Sequence, residues 1–150
     1  MNRLFVRLAA GCLIWVALGC ATSTTSLNLR LGDQDINLRQ FLREHPMPPQ
    51  ENTRVDLIAS GAAASVHVVQ LRKAEKPHLH AGHDLRVVII RGRGTMVIDR
   101  KKITAGVGSV FEIERGTRHY FVNGGTTPAA ALVTFTPPYD GKDMIPVPGD

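Results

Sequence analysis

The residues best suited to chemistry are histidines, of which the chain has six. His78 and His80 stand two apart in the stretch Pro77-His78-Leu79-His80, and residues two apart in an extended strand point to the same face. His119 lies in a separate strand-like run. It alternates with Tyr120 and shares its face with the apolar Phe121, which suits an interior. Imidazole is a ligand for first-row transition metals, and three meeting at one place would suit Fe, Mn, Ni, Cu or Zn. The same three residues also read as a structural lining with no metal. His67, alone on another run, reads as a core or surface residue, and His45 before Pro46 as a solvated helix end. Asp140-Gly141-Lys142-Asp143 is acidic but lacks the carboxylate spacing of an EF-hand. The sequence has no P-loop, no GxSxG and no CxxC.

The elements that must carry these residues are strands. Runs at 54–59, 65–71, 85–91, 95–99, 109–113, 119–123 and 129–136 are rich in Val, Ile and Thr. Turns with glycine fall between them at Gly92-Arg93-Gly94, Gly106 to Gly108, Arg115-Gly116 and Asn123-Gly124-Gly125. Many short strands at this spacing predict an all-β sandwich or barrel. Upstream, Asp35 is placed to cap a short helix over 36–44 that Pro46 ends. Arg91 and Arg93 read as an exposed turn. With 150 residues, 43% hydrophobic and 21% charged, the chain fits one globular domain plus an appendage. Its formal charge of +5 is spread along the chain, without a basic run interleaved with aromatics, so a nucleic-acid groove is not indicated.

The second half resembles the cupin superfamily. That family's first motif is written G-x5-H-x-H-x3-4-E-x6-G and its second G-x5-P-x-G-x2-H-x3-N. His78, His80 and Gly92 match the first; Gly108, Gly116, His119 and Asn123 match the second, with Glu114 in place of Pro. The resemblance covers roughly 66–138, and Phe135-Thr136-Pro137-Pro138-Tyr139-Asp140-Gly141 is similar to the end of small single-domain cupins. It implies a small jelly-roll β-barrel over 54–150, often dimeric, with a divalent transition metal held by His78, His80 and His119. Two function classes follow from it: a protein that binds a metal or small molecule in the barrel, or a metal-dependent dioxygenase, isomerase or lyase.

The chain departs from the pattern at the fourth ligand. Counted back from Gly92, the family's Glu falls on Leu85, whose parity with Val87 and Ile89 points it inwards. Asp84 fits only a shorter spacing, and His83 is a second substitute. Asp84, His83, water or no group at all can complete the set. Redox members of the family mostly keep the carboxylate, so its absence favours the binding reading.

The first nineteen residues read as an address. Arg3 and Arg7 precede an apolar run from Leu8 to Leu18, too short for a bilayer core, which needs about 20 apolar residues. Val16-Ala17-Leu18-Gly19-Cys20 resembles the lipobox of bacterial lipoproteins. There the chain is cut before the cysteine and its thiol is diacylated. The expectation is a signal peptide over 1–19, and a lipidated Cys20 with polar tether and helix over 20–53. Ala21, where Asp would favour the inner membrane, implies an outer-membrane anchor facing the periplasm. Loss of Arg3 and Arg7 would lower the formal charge from +5 to +3, and Cys12 would leave with them, so no disulfide would form. Cys20→Ser should therefore leave an unprocessed or soluble protein on membrane fractionation. A mutant that stays in the membrane fraction at the mature size would contradict the anchor.

Overall fold

The computed structural model describes residues 26–148; the expected signal peptide, Cys20 and most of the expected tether lie outside them. Among the described residues no helix is long and apolar enough to cross a membrane. Twelve strands and one helix follow in order: β1 Asn28–Leu31, β2 Gln34–Asn37, α1 Leu38–Glu44, β3 Thr53–Ser60, β4 Ser65–Leu71, β5 His78–His80, β6 Asp84–Arg91, β7 Arg93–Ile98, β8 Lys101–Gly106, β9 Val110–Ile113, β10 His119–Asn123, β11 Ala129–Thr136 and β12 Met144–Pro146.

Two five-stranded sheets face each other, one in the order β12-β5-β10-β7-β8 and the other β3-β4-β11-β6-β9. Every pairing within them is antiparallel. This is the expected jelly-roll. Alternation decides what lies between the sheets. Leu85, Val87 and Ile89 of β6 are buried there with Val133 and Phe135 of β11, Phe111 and Ile113 of β9, and Met96 and Phe121 from the facing sheet. Arg86, of the opposite parity, is exposed and pairs with Glu112 at 2.6 Å. Burying an aliphatic side chain of this size contributes roughly 1.5–3 kcal/mol.

The second sheet is covered on its outer face as well. Leu38 and Leu42 of α1 pack on Val68, Ile90 and Ala130, so β4, β6 and β11 read as nearly continuous apolar runs. Gln70 is fully buried on this face. It donates to the His45 carbonyl at 2.8 Å and accepts from Arg91 at 2.9 Å, joining the end of α1 to the sheet. Arg91 is thus half-buried and hydrogen-bonded, not part of an exposed turn. His45 caps α1 and stacks on Phe41 with ring centroids 4.0 Å apart.

The structure corrects the sequence reading at the edges. Asp35 and Ile36 belong to a hairpin, β1–β2, turning at Gly32-Asp33; the helix starts two residues later, capped by Asn37, whose side chain accepts from the Gln40 N–H at 2.9 Å. A Gly-Asp pair between Leu29 and Ile36 was the available hairpin signal. β8 is a mostly exposed edge strand, and its Lys101 and Lys102 mask the apolar pattern of a strand while keeping other chains from adding to that edge. Two glycines bear on the site's packing. Gly92 has φ 86°, and a side chain there would press on Ala129; Gly94 lies against Phe121 and the Val122 carbonyl, where a Cβ would overlap both.

Val87→Asp should place an unpaired carboxylate between the sheets and lower stability by several kcal/mol. Arg86→Ala should cost no more than about 1 kcal/mol, as an exposed pair contributes. Equal shifts in chemical denaturation midpoint would contradict this assignment of faces.

Candidate metal centre

β10 and β5 are neighbours, and His119 is the Cα partner of His78. His80 follows two residues on, so all three imidazoles emerge on the inner face. Their ring centroids lie 4.5 Å (His78–His119), 5.2 Å (His78–His80) and 5.6 Å (His80–His119) apart. One nitrogen from each lies within 4.8 Å of the others. All three residues are buried.

What fixes these rings is their other nitrogen. His78 Nδ1 is 2.9 Å from the Lys76 carbonyl and His119 Nδ1 is 2.9 Å from the Thr117 carbonyl. A carbonyl only accepts, so each Nδ1 carries the proton and donates it. His80 Nδ1 is 2.8 Å from the Asp143 carboxylate. In the neutral ring each Nε2 is then the lone-pair nitrogen, the form a metal requires. Burial keeps two of the rings in that form. It pushes His80 down, with Asp143 opposing and His78 adding to the effect. It pushes His119 down to about 4, against the Thr117 carbonyl and with the help of His78 and His80. The donor set therefore suits a divalent transition metal: neutral imidazoles, converging, each held by a second group.

Asp143 organises the side of the site nearest the C-terminus. Besides His80, it accepts from His83 Nδ1 at 2.6 Å and from the Gly82 N–H at 2.7 Å. Burial raises its carboxyl, but the hydrogen bonds from His80, His83 and Gly82 prevail and hold it at about 2. It therefore stays ionised. β12 continues from it and pairs with β5, setting Met144 opposite His80 and Pro146 opposite His78. The strand that carries two histidines is thus gripped on both sides.

Asp84 does not join the three histidines. Its carboxylate accepts from Arg115 Nη2 at 2.6 Å, Arg115 Nε at 3.1 Å and the Arg115 backbone N–H at 2.9 Å, and these bonds, the Arg115 side chain foremost, hold it at about 2. Strand parity turns it away: Leu85, the next residue, takes the inward position and lines the cavity. His83 is buried, but its nitrogens face Asp143 and, at 3.3 Å, the Pro138 carbonyl. It groups with His80 and Asp143 rather than with His78 and His119. His67 is a core residue as expected, bonded to Ser65 at 2.9 Å and edge-on to Phe135.

The three histidines open onto a cavity of about 140 Å³ whose other walls are mainly aliphatic, among them Val69, Val87, Ile89 and Val133. Three polar or titratable residues near it escaped the sequence reading. Tyr139 stacks on Phe135 at 4.5 Å, and burial raises its hydroxyl, with Asp143 and Asp140 adding to the rise. Glu75 lines the cavity; burial pushes its carboxyl up, against the pull of His78 and the Phe121 N–H. Asp143 stands out in the sequence only as part of the acidic stretch 140–143, which lacks the spacing of an EF-hand. Its role, and Tyr139's, come from chain that returns over β5 after more than fifty residues, and no local spacing signals that. Glu75 sits between Lys73 and Lys76 and reads as a solvated loop.

Residues 66–135 match the family described as Cupin domain. An uncharacterized protein of Aquifex aeolicus is 32% identical over 83 residues, 55% of this chain and 68% of that protein. This chain belongs to the cupin superfamily. Solved cupin folds superpose on it. KdgF from Halomonas sp. does so with a TM-score of 0.58 at 20% identity, over 65% of this chain and 91% of that one. A Streptomyces Pac13 variant with uridine has a TM-score of 0.57 at 15% identity, over 71% and 88%; Pac13 is described as a nucleoside dehydratase. At these identities the likeness is one of fold.

Asp143→Ala should weaken metal binding by about ten- to a hundredfold, the usual cost of removing a group that orients a ligand. Asp84→Ala should leave it within about twofold. A chelator-competition titration that found the reverse order would contradict the placement of both residues.

Proposed function

We propose that this protein is an envelope-anchored cupin that binds a divalent transition metal through His78, His80 and His119 and holds a small molecule in the adjoining cavity. The observation that carries the reading is the shared state of the three rings: each Nδ1 is hydrogen-bonded to an acceptor, leaving Nε2 with its lone pair. A structural lining would also need its Nδ1–H groups satisfied; what it does not need is a nitrogen of each of the three rings brought within 4.8 Å of the others. The bound ion would act as a Lewis acid or redox centre toward an oxygen of the ligand.

The cavity limits what that ligand is. A site of about 140 Å³ is close to the engineered apolar cavity of roughly 150 Å³ that takes up benzene. It would hold a compact, mostly apolar body of that size, with a larger molecule extending out of the mouth. Its aliphatic walls exclude water and orient the apolar part, while the histidine end receives the polar part. A second reading, a metal-dependent dioxygenase, isomerase or lyase acting on a small envelope metabolite, is favoured by Glu75 and Tyr139: both border the cavity, both are raised by burial, and both are able to move a proton to or from a bound ligand. The lipidated Cys20 would hold the domain on the periplasmic side of the outer membrane, where its ligands are envelope molecules.

The direct test is elemental analysis of protein purified without chelator or a nickel column. The wild type should carry about one equivalent of one of Fe, Mn, Ni, Cu or Zn. His78→Ala or His80→Ala should abolish it, and His119→Ala should weaken it strongly. A wild type with no metal above background would replace this reading with a metal-free binding barrel.

A further inference from the structure

We propose that Glu75 supplies, from the edge of the cavity beside β10, the charge-compensating carboxylate that the cupin pattern places where this chain has Leu85. The inference rests on the metal reading above and adds a residue to it.

Glu75 and the three histidines line the same cavity, and Glu75 is the one acidic residue among its described lining residues. Its position is fixed by the strand that carries His119. The Glu75 N–H donates to the Phe121 carbonyl at 3.0 Å, and the Phe121 N–H donates back to Glu75 Oε2 at 2.7 Å. Ala74 bridges Val122 just beyond. Glu75 therefore prolongs the line of β5 along β10, level with Phe121 as His78 is level with His119.

This placement decides how the carboxylate would act. Residues two apart on a strand are separated by about 6.5 Å, so Glu75 stands one repeat along the cavity from the His78–His119 pair. It is not among the groups whose ligand atoms lie within 4.8 Å of one another. Direct ligation alongside all three imidazoles is thus not its geometry. From there the carboxylate would act on the ion by its charge or through a protic group bound between them, not as a direct ligand.

Charge supplies the need. Three neutral imidazoles leave a divalent ion at +2, with the Asp143 carboxylate behind His80 as the one negative charge bonded to a ring among the described residues. Burial favours neutral Glu75 while the site is metal-free, and a bound cation would favour its charged form. A charge removed from water is costly unless an opposite charge accompanies it. The family's Glu would meet that cost, but Leu85 cannot.

The competing explanation is that Glu75 only satisfies the Phe121 N–H where β5 stops. Glu75→Gln separates the two, because the Gln carbonyl oxygen still accepts from Phe121 while the charge is gone. Zn²⁺ or Co²⁺ is titrated into metal-free protein against a chromophoric chelator, with the thermal midpoint of the metal-free form measured alongside. Glu75→Gln should bind about ten- to a hundredfold more weakly with its midpoint within a few degrees of wild type. Leu85→Glu added to it should recover most of the affinity by returning a carboxylate to the family's position. Affinity unchanged in Glu75→Gln while His80→Ala abolishes binding would overturn the role of Glu75 and leave the metal site standing. So would a large fall in midpoint that Leu85→Glu does not rescue in affinity. A wild type that binds neither ion would remove both proposals, an outcome visible before any variant is made.

Discussion

A buried imidazole that loses its hydrogen bonds to water without replacing them costs about 1–3 kcal/mol for each unsatisfied polar atom, and this barrel brings three such rings together between its sheets. The arrangement is tolerable only because each Nδ1–H has an acceptor. Two of these are backbone carbonyls two residues earlier, at Lys76 and Thr117. They come with the chain's own conformation as it enters β5 and β10. The third is the Asp143 carboxylate, from the far end of the domain. Once the three protons are placed, the three Nε2 lone pairs are left to the cavity.

The rest of the domain follows from keeping that geometry rigid. β5 is only three residues long and would be a weak support alone, but it is paired to β10 on one side and β12 on the other. The opposing sheet is packed on both faces, by the inter-sheet core inside and α1 outside, so it forms a stiff back wall. Asp143 links the C-terminal segment to His80, His83 and the Gly82 N–H together. Removing it would release the strap and a ligand's orientation in one step.

The sequence carried the parts of this that repeat with the period of a strand. His78 and His80 two apart, His119 in phase with Phe121, and Leu85 in phase with Val87 all fall on the faces their spacing requires. Parity also settles Asp84: being adjacent to Leu85 it must face the other way, and Arg115 holds it there. The hidden parts are contacts between segments far apart in the chain. Asp143 reaches His80 across 63 residues, and Glu75 meets Phe121 across 46. Both sit in charged surroundings that read locally as solvated loops. The β1–β2 hairpin and the Lys-rich edge strand β8 were obscured differently, since short or exposed strands lack the alternation that burial imposes.

The central claim is that three Nε2 atoms converge as one metal site. Anomalous diffraction at the metal's absorption edge, from crystals grown without chelator, tests it most directly. The account predicts a single peak about 2.0–2.1 Å (the zinc–imidazole distance) from Nε2 of His78, His80 and His119, with each Nδ1 still on its acceptor and Asp84 still on Arg115. A peak coordinated through Nδ1, a peak centred on His83 and Asp143 instead, or no peak between the three rings would contradict it.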